Sequence, residues 1–215
     1  METKAFFIRL ASIVGGFSSP SKMPCHSFSI PAVLCKVGGQ LRKIAGSVCS
    51  KCYARKGRYV FPNVRAAMER RFAALNHPEW VPIMARAING LETGPKGSGF
   101  FRWHDSGDLQ DLQHLERIAD VCRKTPDVRH WLPTKEYGLI RGALRNGFQV
   151  PPNLVIRVSA PMVDSAPPVL AGLPTSTVST DKAAATCLAY TRKGVCGPCR
   201  ACWSPVVENV IYPAH

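Results

Sequence analysis

The chain is 215 residues long, 46% hydrophobic and 20% charged, with a formal net charge of +14 and nine cysteines. That balance excludes a disordered chain, and no apolar run approaches the ~18 residues that a membrane-spanning helix needs. The basic excess is one-sided: residues 1–72 hold thirteen Lys and Arg against two acids, Glu2 and Glu69. A surface of that kind attracts polyanions, so nucleic acid or a nucleotide is the expected partner.

In chain order, Lys4 followed by Ala-Phe-Phe-Ile imitates the start of a signal peptide, but Arg9 interrupts the apolar stretch. The segment reads as a first strand in a cytoplasmic protein. Residues 1–60 are otherwise rich in Gly, Pro, Ser and base, and predict loop held by something other than a core. Asn63 is the expected N-cap of a helix over 63–76, with Val64, Met68, Phe72 and Leu75 on one face. A second helix is expected over 79–88, with Pro82 in its first turn and Asn89-Gly90 as its stop.

From Ser98 strands and helices alternate. Strands are expected at 99–104, 128–133, 154–159 and 175–180. The helix after the first begins at an Asp108 cap and carries Leu112, Leu115, Ala119 and Cys122; the next spans 135–145 and stops at Asn146-Gly147. Such alternation predicts an α/β fold with a parallel sheet, an incomplete β/α barrel, with cysteine-rich metal-binding segments at both ends. One domain is expected: a basic, cysteine-containing region over 1–60, an α/β core over 61–182 and a cysteine-rich segment over 183–215.

Function in parallel α/β folds collects at the carboxyl ends of strands. Those ends carry His104, Asp105, Ser106, Gly107 and Asp108; then Thr134, Lys135 and Glu136; then Arg157 and Ser159; then Ser179, Thr180 and Asp181. His104, Asp108 and Lys135 are the candidate catalytic groups, as acid, base or substrate-orienting side chains. Basic residues Arg42, Lys43, Lys51, Arg55, Lys56 and Arg58 are candidates for nucleic-acid phosphates, with Tyr53 and Tyr59 among them as bases' stacking partners or as core.

Eight of the nine cysteines fall into two groups, and Cys122 sits on the apolar face of its helix. The C-terminal group is Cys187, Cys196, Cys199 and Cys202, reading Cys-x8-Cys-Gly-Pro-Cys-Arg-Ala-Cys-Trp. Three cysteines at C-x2-C-x2-C with a fourth upstream suit a four-iron cluster, and four thiolates also suit zinc. The N-terminal group is Cys35, Cys49 and Cys52, with Cys25 ten residues earlier. Three ligands would leave one iron open to substrate or S-adenosylmethionine; four would close the site. Spacing leaves the role of Cys25 open.

The combination of segments resembles the phage gene product 88 family. It rests on Lys22-Met-Pro, Ser27 to Cys35, Gly46 to Tyr59, Phe61-Pro-Asn-Val64, Phe101 to Asp108, Trp131 to Glu136 and Cys196 to Trp203. The resemblance implies a phage or prophage origin, hence the host cytoplasm, and brings no established activity. A weaker likeness is to radical S-adenosylmethionine enzymes. It implies cluster ligation by Cys35, Cys49 and Cys52, contact of Ser106-Gly107-Asp108 with the methionine end of the cofactor, and the second group as an auxiliary cluster; Ser106, Gly107 and the strand-end Ser159 are the cofactor-binding candidates. The compact C-x3-C-x2-C loop of those enzymes is absent, and Tyr53 follows the last cysteine instead of preceding it. The leading expectation is an iron–sulfur enzyme acting on nucleic acid or a nucleotide. The alternatives are a non-enzymatic, zinc-stabilised nucleic-acid-binding protein and an electron-transfer or redox-sensing protein.

Overall fold

A computed structural model describes residues 12–214; the strand expected near the N-terminus falls outside them. The elements are β1 (Ser27–Phe28), α1 (Lys36–Leu41), α2 (Pro62–Ala74), α3 (Trp80–Glu92), β2 (Phe100–Trp103), α4 (Leu112–Arg123), β3 (Arg129–Thr134), α5 (Tyr137–Arg145), β4 (Leu154–Ser159), β5 (Thr175–Ser179) and β6 (Asn209–Pro213). The six strands form one sheet in the order β1-β2-β3-β4-β5-β6, every neighbour parallel. The sheet is open, because β1 and β6 are its two edges. Strands added in one direction by right-handed crossovers leave all their helices on the same face.

That helical face holds the core. Phe28, Phe101, Trp103, Leu132 and Ile156 of the strands pack with Trp80, Met84 and Ile88 of α3, with Leu115, Ile118 and Cys122 of α4, and with Ile140 of α5. Cys122 is a buried core side chain, as its helical position predicts. Period-two alternation sends the neighbouring strand residues to the opposite face: Phe100, Arg102, Trp131 and Arg157. Among the described residues, no α-helix crosses there. The connection from β5 to β6 covers it instead, and its Trp203 is buried against Trp131 and Cys25. The Trp203 indole N–H donates to the Phe101 carbonyl at 2.8 Å.

Several boundaries differ from the sequence expectation, each for a local reason. The chain enters α2 through Phe61 with Pro62 in the first turn, and Asn63 caps nothing. Asn89-Gly90 does not stop α3, which runs on until buried Glu92. Both Glu92 oxygens are engaged: one accepts from the backbone N–H of His26 at 2.9 Å and lies 2.8 Å from its Nδ1, while the other accepts from Ser98 Oγ at 2.6 Å. That latch ties the starts of β1 and β2 together and outweighs the roughly 1 kcal/mol helix cost of a glycine. Asp111, not Asp108, caps α4, accepting from the His114 N–H at 2.7 Å. Helix α5 begins at Tyr137, after Glu136 at a non-helical ψ of 62°, and the Lys135 N–H before it donates to the Asp108 carboxylate. Strands β1 and β6, and the short helix α1, have no counterpart in the sequence expectation.

Candidate functional site

The first cysteine group assembles at the carboxyl end of the sheet. Cys35 follows β1, at the start of α1. The loop after α1 winds through short 3-10 turns at Val48–Lys51 and Tyr53–Arg55, which carry Cys49 and end near Cys52. A methyl group placed on Gly38 would lie 3.1 Å from Cys35 Cβ and 3.5 Å from Cys49 Sγ, so the two side chains converge over the first turn of α1. Cys35, Cys49 and Cys52 line one recess together with Arg42 and Arg55. The loop is stitched across the rim: the Val48 N–H donates to the Pro161 carbonyl at 2.9 Å, beyond the end of β4.

Asp108 and Lys135 join this group. The Asp108 carboxylate accepts from Thr134 Oγ1 at 2.7 Å, from the Lys135 N–H at 2.9 Å and from the Leu109 N–H at 2.8 Å. Burial raises its pKa to about 6 against those hydrogen bonds. Burial, with Asp108 and the other two thiols nearby, pushes Cys35 up to about 12. Burial also raises Cys49, and the Lys135 ammonium opposes the rise. Glu136, buried, accepts from the Val37 N–H at 3.0 Å and so holds α1 against β3. Among the described residues, no three His, Cys, Asp or Glu side chains stand together as a ready metal-holding group.

His104 lies elsewhere. Its φ of 57° turns it back from the rim, and its ring meets His114 of α4 at a centroid distance of 5.1 Å. Among the described residues, neither ring has a hydrogen-bond partner on either nitrogen. Burial lowers the pKa of His104 well below the usual range and that of His114 to about 4. Ser106 and Gly107 clasp the exit of β1: Ser106 Oγ donates to the Ile30 carbonyl at 3.0 Å. A Cβ on Gly107 would fall 2.3 Å from Ile30 Cγ1, at a φ of +87°. Gly107→Ala is therefore expected to destabilise the protein by about 1–3 kcal/mol or more, read as a shifted urea midpoint; an unchanged midpoint would mean that the clasp yields freely. Ser159 faces β5, accepting from Ser176 Oγ at 3.1 Å.

Cys25 belongs with the second group. It precedes β1, whereas Cys35 follows it, and it packs with Trp203 and Cys202 on the face without helices. The Cys196 N–H donates to the Lys22 carbonyl at 3.0 Å, and the Cys187 N–H to the Ile211 carbonyl at 3.0 Å. Cys202 Sγ lies 3.1 Å from the Tyr212 hydroxyl, and burial raises this thiol to about 11. Two arginines underlie the segment. The Arg157 guanidinium, fully buried, donates only to carbonyls. Arg102 sits over the Trp131 ring at 4.6 Å and donates to the Tyr53 hydroxyl at 3.2 Å, while its Nε has no partner. Neither arginine forms a carboxylate ion pair among the described residues.

The sequence-selected bases behave as a surface. Arg42, Lys43, Lys51, Lys56 and Arg58 are exposed, Arg55 is half-buried, and none pairs with a carboxylate among the described residues. Tyr53 and Tyr59 turn their hydroxyls inward to Asp105, onto its carbonyl at 2.6 Å and its carboxylate at 2.9 Å. Sequence reasoning did not single out Arg102, and it took Arg157 as a strand-end group rather than a buried anchor. Their alternation with core residues along β2 and β4 is the signal that could have found them.

The model of the family described as Gene product 88 matches residues 10–205, which include both cysteine groups and the carboxyl rim between them. The chain belongs to the phage gene product 88 family. No curated protein and no solved structure matches it. The likeness to radical S-adenosylmethionine enzymes finds no support in these comparisons. Among the described residues of this gene product 88 chain, no helix is long and apolar enough to cross a membrane.

Proposed function

We propose that this protein is a metal–thiolate enzyme, iron–sulfur in its chemistry, that acts on nucleic acid or a nucleotide. The observation that carries the reading is the division of the thiols: Cys35, Cys49 and Cys52 alone line the recess at the carboxyl rim, while Cys25 lies with the other group. A three-thiolate cluster keeps one iron open for a ligand such as S-adenosylmethionine and supplies an electron there.

The donor sets suit such groups. Thiols are the soft ligands that iron–sulfur clusters use. Arg102 and Arg157 lie beside the second group without a carboxylate ion pair among the described residues, and thiolates bound to metal would add negative charge there to that of Asp105 near Arg102. Metal binding draws ligands together and adds to folding free energy, which fits two segments built of loops and single turns. At the first group, Asp108 is a buried carboxyl, fixed by three hydrogen bonds, that can take or give a proton near neutral pH. Lys135 would orient an anionic substrate beside Cys49. Arg42 and Arg55 would hold phosphates at the mouth of the recess, and Lys43, Lys51, Lys56 and Arg58 would extend that grip.

The test is anaerobic purification with iron, sulfide and zinc analysis. About eight irons per chain are expected, falling by about four in the Cys35→Ser/Cys49→Ser/Cys52→Ser protein. Cys25→Ala should leave the first group's iron in place. About one or two zincs without sulfide would overturn the iron–sulfur reading and leave a zinc-stabilised nucleic-acid binder. Binding of an oligonucleotide should weaken with salt, and Lys51→Ala/Lys56→Ala should lower that slope by about 2. A slope that does not change would remove these lysines from the interface.

A further inference from the structure

A cleft of about 440 Å³ lies between α5 and the loop that joins β4 to β5. Pro161, Pro168, Val169 and Leu170 of the loop form an apolar wall, and Tyr137 and Arg141, one helical turn apart on α5, form the polar side. Exposed Arg141 has no carboxylate partner among the described residues. The Tyr137 hydroxyl is spent on the Ser159 carbonyl, and its half-buried ring packs against the core while lining the cleft. The cleft adjoins the first cysteine group through Pro161, whose carbonyl accepts the Val48 N–H next to Cys49.

The volume falls in the range of small-molecule sites, which pair apolar walls with a few placed polar groups. It suits one flat ring system with one anionic substituent. We propose that this cleft binds a nucleoside monophosphate, with the base between Tyr137 and the proline–leucine wall and the phosphate on Arg141. The inference rests on the nucleotide reading above and names the substrate class of that rim. A ligand so placed reaches from the cleft toward Cys49 and Lys135, along the same carboxyl rim of the sheet.

The experiment is calorimetric titration of the full chain with AMP, GMP, CMP and UMP, with the matching nucleosides and inorganic phosphate alongside. Saturable binding of at least one nucleotide is expected. Arg141→Gln should weaken it by about tenfold or more, the loss of one charge-assisted contact, while changing nucleoside binding little. Ala166→Trp, which fills the cleft from an exposed loop position, should abolish nucleotide and nucleoside binding alike. No binding by any nucleotide, equal binding by inorganic phosphate, or an unchanged Arg141→Gln protein would overturn the proposal. Metal analysis of the same samples separates the two readings: nucleotide binding without metal leaves the cleft and removes the metal–thiolate enzyme, and metal without nucleotide binding does the reverse.

Discussion

Arg157→Met should destabilise the protein by roughly 3–5 kcal/mol and free the cysteine-rich segment between β5 and β6. The guanidinium donates to the carbonyls of Thr175 at 2.8 Å, Val207 and Ser204 at 3.0 Å, Ala201 at 3.1 Å and Cys202 at 3.4 Å. A methionine fills the volume and leaves those buried acceptors without donors, each at about 1–3 kcal/mol before relaxation. Lysine cannot reach five carbonyls with three N–H groups, so Arg157→Lys should fall between. Urea denaturation gives the stability, and limited proteolysis reads the segment: new cleavage within 183–208 is expected in the methionine protein. If both proteins unfold at the same urea concentration and resist protease equally, Arg157 is not the anchor.

Acid should unfold the protein steeply between pH 6.5 and 4, because burial holds three histidines neutral in the folded state. Burial holds His114 at about 4 and His130 at about 3, and lowers His104 well below its usual range. In the unfolded chain each titrates near 6.5. Above pH 6.5 both states hold the neutral rings and nothing is lost. As pH falls below 6.5 the unfolded state binds protons that the folded state refuses, and each ring removes about 1.4 kcal/mol of stability per pH unit. By pH 4 His114 alone removes about 3 kcal/mol. Asp108 works in the opposite direction, since its raised pKa of about 6 makes the folded state bind a proton first; it offsets about one of the three. His114→Asn should therefore flatten the pH dependence of the urea midpoint by about one proton. A slope identical to that of the unsubstituted protein would show that the folded state protonates His114 with ease.

The strands and helices from 99 to 180 were legible because burial imposes period. Strand β4 reads as Leu-Val-Ile-Arg-Val-Ser, and α4 repeats its apolar residues at helical spacing on one buried face. The single arginine inside β4 reads as a strand-end group, although its place in the alternation puts it on the face opposite the core. Strand β1 was not legible. It is two residues long, pairs with Arg102 and Trp103 on one side and through a single bridge with Ser18 on the other, and draws its stability from those neighbours rather than from its own pattern. Strand β6 has five residues but follows a loop whose cysteines and glycines mask its alternation.

The rim residues divide in the same way. Asp108 reads in the sequence as a helix cap, and cap chemistry is local, so Asp111 three residues later serves as well. Only the neighbouring strand, which presents Thr134 and the Lys135 N–H, turns Asp108 into a fixed buried carboxyl. His104 follows a strand as a catalytic histidine would, yet a left-handed φ folds its ring under α4. Backbone handedness at one residue is only weakly written in residue type, through the bias toward glycine and, to a lesser degree, asparagine, aspartate and histidine.

By itself the amino-acid sequence determined the family, the one-sided basic surface, the parallel α/β class and the presence of two cysteine groups, since each depends on residue identity and local spacing. The tertiary structure decided which thiols meet. Cys25 stands ten residues from Cys35, but β1 lies between them and carries the chain from the face covered by Trp203 to the carboxyl rim. It decided also that the helix-free face would be covered by the C-terminal segment. A sheet wound in one direction leaves that face bare, and the Val207, Ala201 and Ser204 carbonyls that hold Arg157 and the Trp203 ring that covers Trp131 arrive only when the chain returns there.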